Sequence, residues 1–346
     1  MFFLKIILNL LSLIISVVIK IRNLFFDYRL IKIQKSKIPV ISVGNLNIGG
    51  TGKTPHVIFL IKLFVDEKNI SVISRGYGRI GNKTKKVILK KFNHIEVGDE
   101  PLEIKSNFIN SKLEVYVSNF RYEGVKLIEN EKKCDLIILD DGFQHRYLHR
   151  DINILLTLYD KPFYDDRLFP VGKLRENRSY VKRSDIVIVT NCPNNLEKRK
   201  RKIIKSNILK YSTSPIFFTS VKYLGFFDKK NKKINNINRE KKYLIITGIA
   251  NPNYIYEYLK KIGLNFEKIN YKDHYNFKIS DIKEILSLSK KFDYIITSEK
   301  DWFRLKHFNK FFNNFDKFLR LKIEIKFTDE NQKIYFHSII SKLLSK

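Results

Sequence analysis

The residues best suited to chemistry begin at Gly44, where GNLNIGGTGKT runs to Thr54 behind the apolar run Pro39 to Val43. Glycines let successive backbone N–H groups turn inward onto phosphate oxygens, and a following helix adds the positive potential of its N-terminus. Pro55 falls in the first turn of the helix expected to Phe64, where its missing N–H is not needed. Strand, loop and helix together predict a site in which Asn47, Ile48, Gly49, Gly50, Thr51 and Gly52 cradle the phosphates of ATP. Lys53 would reach the β and γ phosphates, and Thr54 would ligate Mg2+. One position departs from the pattern. GxxxxGK[ST] asks for glycine where Asn47 stands, a mild exchange because Asn enters left-handed backbone more readily than most residues.

A second cluster closes the apolar run Leu136 to Leu139: Asp140 and Asp141, followed by GFQHRYLHRD. Carboxylates at the tip of a buried strand can hold Mg2+ directly or through its water. Asp-Gly is also an ordinary strand-end turn. With a phosphate loop upstream, metal binding is the favoured reading.

These groups need a scaffold. The runs IPVISVGN, NISVISRGYG, CDLIILDDG, INILLTL and SDIVIVTN are continuously apolar rather than alternating, which predicts strands buried on both faces. Helix-length segments separate them, so the expected fold is α/β: a P-loop NTPase-like parallel sheet with functional loops at the strands' carboxyl ends. The charged stretch Phe226 to Lys242 predicts an exposed connection, and a second, smaller α/β domain starts with the strand at Tyr243 and includes another in FDYIITSEKD. The expected division is an N-terminal apolar helix over 1–30, a P-loop core over 31–225, a linker over 226–242 and a second domain over 243–346.

Composition limits the function classes. With 44% hydrophobic and 13% aromatic residues in 346, the chain has material for real cores and is neither disordered nor a purely electrostatic tail. Lys plus Arg number 66 against 35 acidic residues, a net of +31 that alone would suggest nucleic acid, anionic membrane or a phosphorylated substrate. Ala250 is the sole alanine while Lys, Ile and Asn abound, the drift expected of AT-rich codons, so the charge is a weak clue. EKRKRKIIK at Glu197 lacks the interleaved aromatics of single-strand binders, and no nucleic acid is expected. Cys134 and Cys192 are too far apart for a ligand motif or a disulfide framework.

At the N-terminus the longest charge-free stretch, Ile6 to Ile19, is shorter than the ~20 residues of a spanning helix. No AxA-like cleavage site follows, so the segment is expected to stay attached. Lys5, Asn9, Ser12, Ser16, Lys20 and Asn23 recur every three or four positions and form a narrow polar stripe on a helix that is otherwise apolar. Such a helix suits the membrane interface, with Lys20, Arg22 and Arg29 at anionic headgroups; the alternative is packing on the body of the protein.

Taken together, VGNLNIGGTGKTP, ISRGYGR, VGDEP, DDGFQH, LFPVGKLRE, VTN, YKDHYNF and TSEKD resemble, in order, the motifs of the tetraacyldisaccharide 4'-kinase family, the lipid A 4'-kinases of Gram-negative bacteria. The family's phosphate loop also lacks the first glycine, usually with Thr at the position of Asn47. The resemblance implies two α/β domains around a cleft and a segment that associates with the cytoplasmic face of the inner membrane. It also implies transfer of the ATP γ-phosphate to the 4'-hydroxyl of a lipid-linked glucosamine disaccharide 1-phosphate, with no protein partner expected. A sugar hydroxyl is a poor nucleophile near pH 7, so a base must take its proton.

The resemblance gives that task to Asp99 of GDEP paired with His274 of DHY, brought together when the domains close on substrate. Read alone, Asp99 also suits the cap of a helix beginning at Pro101. Arg175 and Glu176 of KLRE fall near the phosphates and Mg2+ by the same resemblance. Arg75 and Arg79 of SRGYGR, with Gln144 and His145 of DDGFQH, are candidates for the nucleotide or sugar-phosphate pocket, and Arg121 for the disaccharide. Several positions depart from the family: Lys173 and Asn177 replace prolines, Asp165 and Asp166 replace Asn-Gly, and Tyr275 replaces a second histidine. A different class, a P-loop switch ATPase or GTPase without a sugar substrate, would share Lys53, Thr54 and Asp140. It would need neither the membrane helix nor Asp99 and His274.

Overall fold

The computed structural model describes residues 2–109, 111–235, 237–308 and 317–345. Met1 and Lys346, the outer ends of the expected N-terminal helix and second domain, lie outside the described residues, as do 110, 236 and 309–316. The chain runs through helix α1 (Phe2–Asp27), strand β1 (Val40–Asn45), α2 (Lys53–Phe64), β2 (Ile70–Ser74), β3 (Lys85–Lys86), α3 (His94–Val97) and α4 (Asp99–Ser106). It continues with β4 (Glu114–Val117), α5 (Arg121–Glu131), β5 (Leu136–Asp140), β6 (Ile152–Leu158), β7 (Ile186–Thr190), α6 (Lys198–Leu209), β8 (Ile216–Phe227) and β9 (Lys233–Ile234). Last come β10 (Lys242–Thr247), α7 (Asn253–Lys261), β11 (Asn265–Asn270), α8 (Ile279–Ser289), β12 (Tyr294–Ser298), α9 (Glu299–Lys306), β13 (Phe318–Phe327) and α10 (Glu330–Leu344).

All five apolar runs are strands. β1, β2, β5 and β7 are buried at every position, as continuous apolar sequence requires of strands covered on both faces. They pair in parallel, with β1 between β5 and β6, and the sheet continues without a break into the second unit: β11-β10-β12-β13-β8-β7-β6-β1-β5-β2-β4-β3. The carboxyl ends of β1, β2 and β5 therefore deliver the phosphate loop, the Arg75 loop and the acidic pair to one edge.

Two boundaries differ from the sequence expectation. β8 is the seam: its first residues pair in parallel with β7, and the rest runs antiparallel to β13, straight through position 226. Phe226, expected in an exposed linker, is buried with Tyr243 and Leu319, because its ring has an apolar sheet face to join despite the charged residues that follow. α10, expected to complete the second domain, returns to the first: Phe336 packs against Phe59 and Phe217 in the core above β6.

In α1 the residues facing the protein are Leu8, Ser12, Ile15, Ser16, Ile19, Arg22, Asn23 and Phe26, one stripe at helical spacing. Leu4, Leu10, Leu13, Ile14, Val17, Val18 and Ile21 are exposed on the other side. This inverts the usual surface helix. The helix is anchored at its far end, where Phe26 meets the Tyr147 ring at 5.0 Å, Asp27 pairs with Arg146 at 2.7 Å, and the Asn23 carbonyl accepts from Arg146 at 3.1 Å. Arg22, expected to reach headgroups, instead donates to the Gln144 carbonyl at 2.9 Å.

Candidate active site

The phosphate loop is held by backbone pairing. Ile48 N–H donates to the Lys173 carbonyl at 2.6 Å and Arg175 N–H to the Leu46 carbonyl at 2.6 Å, so the KLRE segment lies along the loop as a short antiparallel bridge at Asn47 and Leu174. Asn47 is not left-handed, contrary to expectation. It sits in extended pairing, and its side-chain amide donates to Asp166 Oδ2 at 2.8 Å. Asp166 Oδ1 accepts from the Lys173 N–H at 3.1 Å, a donor that proline at 173 would lack. The departures at 47, 166 and 173 thus make one hydrogen-bonded unit. Gly52, at φ 80°, opens α2. A side chain at Gly50 would meet the Ala250 methyl of the second unit at 2.9 Å.

Asn45 donates to the Thr51 hydroxyl at 2.9 Å, and His56 fixes the loop from behind. Its Nδ1 lies 2.7 Å from the Gly52 carbonyl and its Nε2 3.0 Å from the Thr219 hydroxyl, so Nδ1 carries the proton. Burial lowers the pKa of His56 to about 4.

Lys53, the first residue of α2, points at the acidic pair: Nζ is 3.7 Å from Asp141 Oδ2, and Arg175 Nη1 reaches the same carboxylate at 3.0 Å. Burial pushes Asp141 up, but Lys53 and Arg175 outweigh it and hold the carboxyl below its usual range. Asp140 is different. It is fully buried, receives the Ser74 hydroxyl at 3.2 Å on Oδ2, and has no partner on Oδ1 among the described residues. Burial, with Glu100 and Asp141 nearby, raises its pKa to about 7. A buried, unpartnered carboxylate oxygen in a negative surrounding is the environment a divalent cation relieves. Among the described residues no three His, Cys, Asp or Glu converge on one point. That suits Mg2+, which keeps waters and substrate phosphates as ligands. Glu176 does not join the pair; it is buried, bonded to Arg183 through Oε2, with Oε1 unpartnered among the described residues.

The other expected binding residues flank this edge. Gln144 donates to the Asn45 carbonyl at 2.8 Å and accepts from Arg175 at 3.4 Å. His145 is brought down to about 4 by burial and by Arg121, Arg150, Arg22 and Arg75. Arg121 is buried at the start of α5, donating to the Ser118 carbonyl at 3.1 Å, and burial lowers it to about 10 against the pull of Asp141 and Asp140. Arg75 is exposed, while Arg79 donates to the Lys83 carbonyl at 2.7 Å and shapes its own loop.

Asp99 and His274 meet: His274 Nδ1 lies 3.4 Å from Asp99 Oδ2. Asp99 is the first residue of α4 rather than a cap for a helix at Pro101, and its Oδ1 accepts the Glu100 N–H at 2.9 Å. His274, at φ 55°, stands on the loop after β11, with its ring 4.6 Å from that of Tyr77. Burial would raise the pKa of Asp99, yet Lys300, the His274 contact and Arg304 drive it well below the usual carboxylate range. Lys300 and Arg304, both on α9, carry no sequence signal of their own that marks them for this role. Arg304 Nε is 3.2 Å from Asp99 Oδ2, and its Nη2 is 2.7 Å from the fully buried Asp301. The signal available is TSEKD itself, a charged run at a strand tip.

Comparison with known proteins gives the family. A family model described as tetraacyldisaccharide-1-P 4'-kinase, LpxK, matches residues 4–343. The tetraacyldisaccharide 4'-kinase of Flavobacterium johnsoniae is 38% identical over 296 residues, covering 84% of either chain. That of Bacteroides fragilis is 37% identical over 302 residues, covering 83% of this chain and 79% of its own. The crystal structure of Aquifex aeolicus LpxK in complex with ATP superposes with a TM-score of 0.75 at 27% identity, covering 96% of this chain and 97% of that one. On these grounds the chain belongs to the tetraacyldisaccharide-1-phosphate 4'-kinase family.

Proposed function

We propose that the chain transfers the γ-phosphate of ATP to the 4'-hydroxyl of a tetraacylated glucosamine disaccharide 1-phosphate, yielding the 1,4'-bisphosphate and ADP. The observation that carries the reading is that the acidic pair facing Lys53 feels Glu100 of α4, next to Asp99, whose carboxylate meets the half-buried His274 from the second unit. In the reaction the 4'-oxygen forms a bond to the γ-phosphorus as the bond from that phosphorus to the bridging oxygen breaks. The hydroxyl proton passes to the Asp99–His274 pair. The cations around Asp99 keep it ionised, hence always in its accepting form. A carboxylate that is a weak base still suffices, because in a loose transition state the hydroxyl gives up its proton late, when it has become acidic.

Lys53 and Arg175 would balance charge building on the phosphates; Asp141 now holds both and would release them to the anion. Gly49, Gly50 and Gly52 would supply inward N–H groups, since that of Ile48 is given to the Lys173 carbonyl and that of Thr51 to the Gly49 carbonyl. Asp140, Asp141 and the Thr54 hydroxyl would hold Mg2+, which when bound neutralises phosphate charge and aligns the groups. Glu176, paired with Arg183, would act through water rather than as a direct ligand. Arg75 and Arg121 would supply cations for the sugar 1-phosphate, and His145, held neutral, a hydrogen-bonding ring.

The exposed apolar face of α1 supports docking on the cytoplasmic face of the inner membrane, where the lipid substrate resides. The helix Phe3–Asp27 is long and apolar enough to cross a membrane, although its inner stripe is committed to the protein. The test is transfer of label from γ-labelled ATP with and without the lipid in detergent. Labelled disaccharide is expected. ATP consumption indifferent to the lipid would instead mark a switch ATPase.

A further inference from the structure

Lys300 lies in the first turn of α9, just past the buried end of β12. Its Nζ donates to His274 Nε2 at 2.9 Å and to Glu100 Oε1 at 3.0 Å, with Asp273 Oδ1 at 3.8 Å. Burial alone would favour the neutral amine, but Glu100, Asp99 and Asp273 outweigh it and keep the group protonated beyond the ordinary lysine range. An ammonium has three donors and no lone pair, so His274 Nε2 opposite it can only accept. The neutral ring then carries its proton on Nδ1, the nitrogen facing Asp99 Oδ2.

The charged and titratable groups around this pair come from every packed element. They are Asp99, Glu100 and Glu103 on α4, Asp273 beside the ring, Glu299, Lys300, Asp301 and Arg304 on α9, Tyr77 after β2, and His94 on α3 with its neighbour His307. Among these residues, only Lys300 touches the far nitrogen of the ring with a donor.

We propose that Lys300 is a positioning residue for phosphoryl transfer: its bond to Nε2 selects the His274 tautomer that carries the ring proton on Nδ1, the nitrogen nearer Asp99. The inference rests on the catalytic reading of that pair. The same ammonium ties α9 to α4 through Glu100, so the second unit is latched to the first at the point where the pair must align.

The experiment compares Lys300→Met, Lys300→Arg and Asp99→Asn in full-length protein, with ATP and the lipid disaccharide as substrates. Lys300→Met should lower kcat at least about tenfold, within the range general acid–base catalysis supplies, and leave KM for ATP unchanged. Its acidic limb of kcat should move up, since Asp99 loses the strongest of its neighbouring cations. Lys300→Arg, which keeps the charge, should leave the limb in place. Nitrogen-15 NMR of histidine-labelled wild-type protein, with His274→Gln for assignment, should show an Nδ1–H ring. A slower Lys300→Met with an unmoved limb, or an Nε2–H ring, would overturn the inference while an inactive Asp99→Asn leaves the pair catalytic. Normal turnover in Asp99→Asn would remove the pair and the inference with it.

Discussion

The two halves of the site are built from different forces. On the phosphate side, Lys53, Asp141 and Arg175 are set by backbone pairing within one sheet: the β1 loop bridges to Leu174, and β5 lies in register beside β1. On the acceptor side, Asp99, His274, Lys300 and Arg304 are joined by side-chain charges between α4, the loop after β11 and α9, far apart in sequence. A phosphate is the same in every nucleotide site, and a rigid backbone cradle serves it. A proton acceptor needs a tuned charge, which only converging side chains provide.

The contrast can be broken at either end. Lys53→Ala should cost about 10³-fold or more in transfer by removing a charge aimed at the phosphates, with the melting temperature unchanged. Turnover and thermal unfolding measured on one preparation check this. Arg304→Met should do the reverse, destabilising the fold by about 3–5 kcal/mol, because the buried Asp301 loses its cation and Asp99 is left with Lys300. Urea unfolding measures it; a loss confined to activity would mean that the acceptor side is as independent of folding as the phosphate side.

Acidification sharpens the difference. His56, behind the phosphate loop, is held neutral by burial, with its folded pKa lowered from 6.5 to about 4. The unfolded chain takes up this proton near pH 6.5 and the folded chain only near 4, so the stability is full above 6.5 and lost as pH falls toward 4. The contribution is up to about 3 kcal/mol. Unfolding free energies at pH 7 and pH 4.5 should differ more in wild type than in His56→Gln. Asp99, with its pKa depressed, keeps its contribution over the same window, since that is lost only as pH falls below the ordinary carboxylate range. The smallest effect is expected at Asn47→Ala, which removes a bond to the Asp166 carboxylate worth about 1.5–3 kcal/mol at most.

The phosphate side is legible in the sequence because its signal is local: an apolar run, glycines, GKT and a helix within 27 residues, 38 to 64. The acceptor side is reached only by resemblance. No spacing relates Asp99 to His274, whose meeting depends on strand order and on β8 carrying one sheet into the other. Lys300 and Arg304 stand within or just beyond the TSEKD motif, yet their partners lie on α4, which no local pattern discloses. The position of Arg22 beside an apolar run points to headgroups, whereas the Gln144 carbonyl gives it an internal partner. The polar stripe of α1 is a real stripe; Ser12, Ser16 and Asn23 of it turn toward the protein.

The most direct measurement is single-turnover transfer of γ-phosphate from ATP to the tetraacylated disaccharide 1-phosphate by Asp99→Asn, with ATP affinity determined on the same protein. Normal ATP binding with transfer reduced roughly 10²–10⁴-fold is the expected result. Transfer at the wild-type rate would contradict a reaction that draws its phosphate from one half of the molecule and its proton acceptor from the junction with the other.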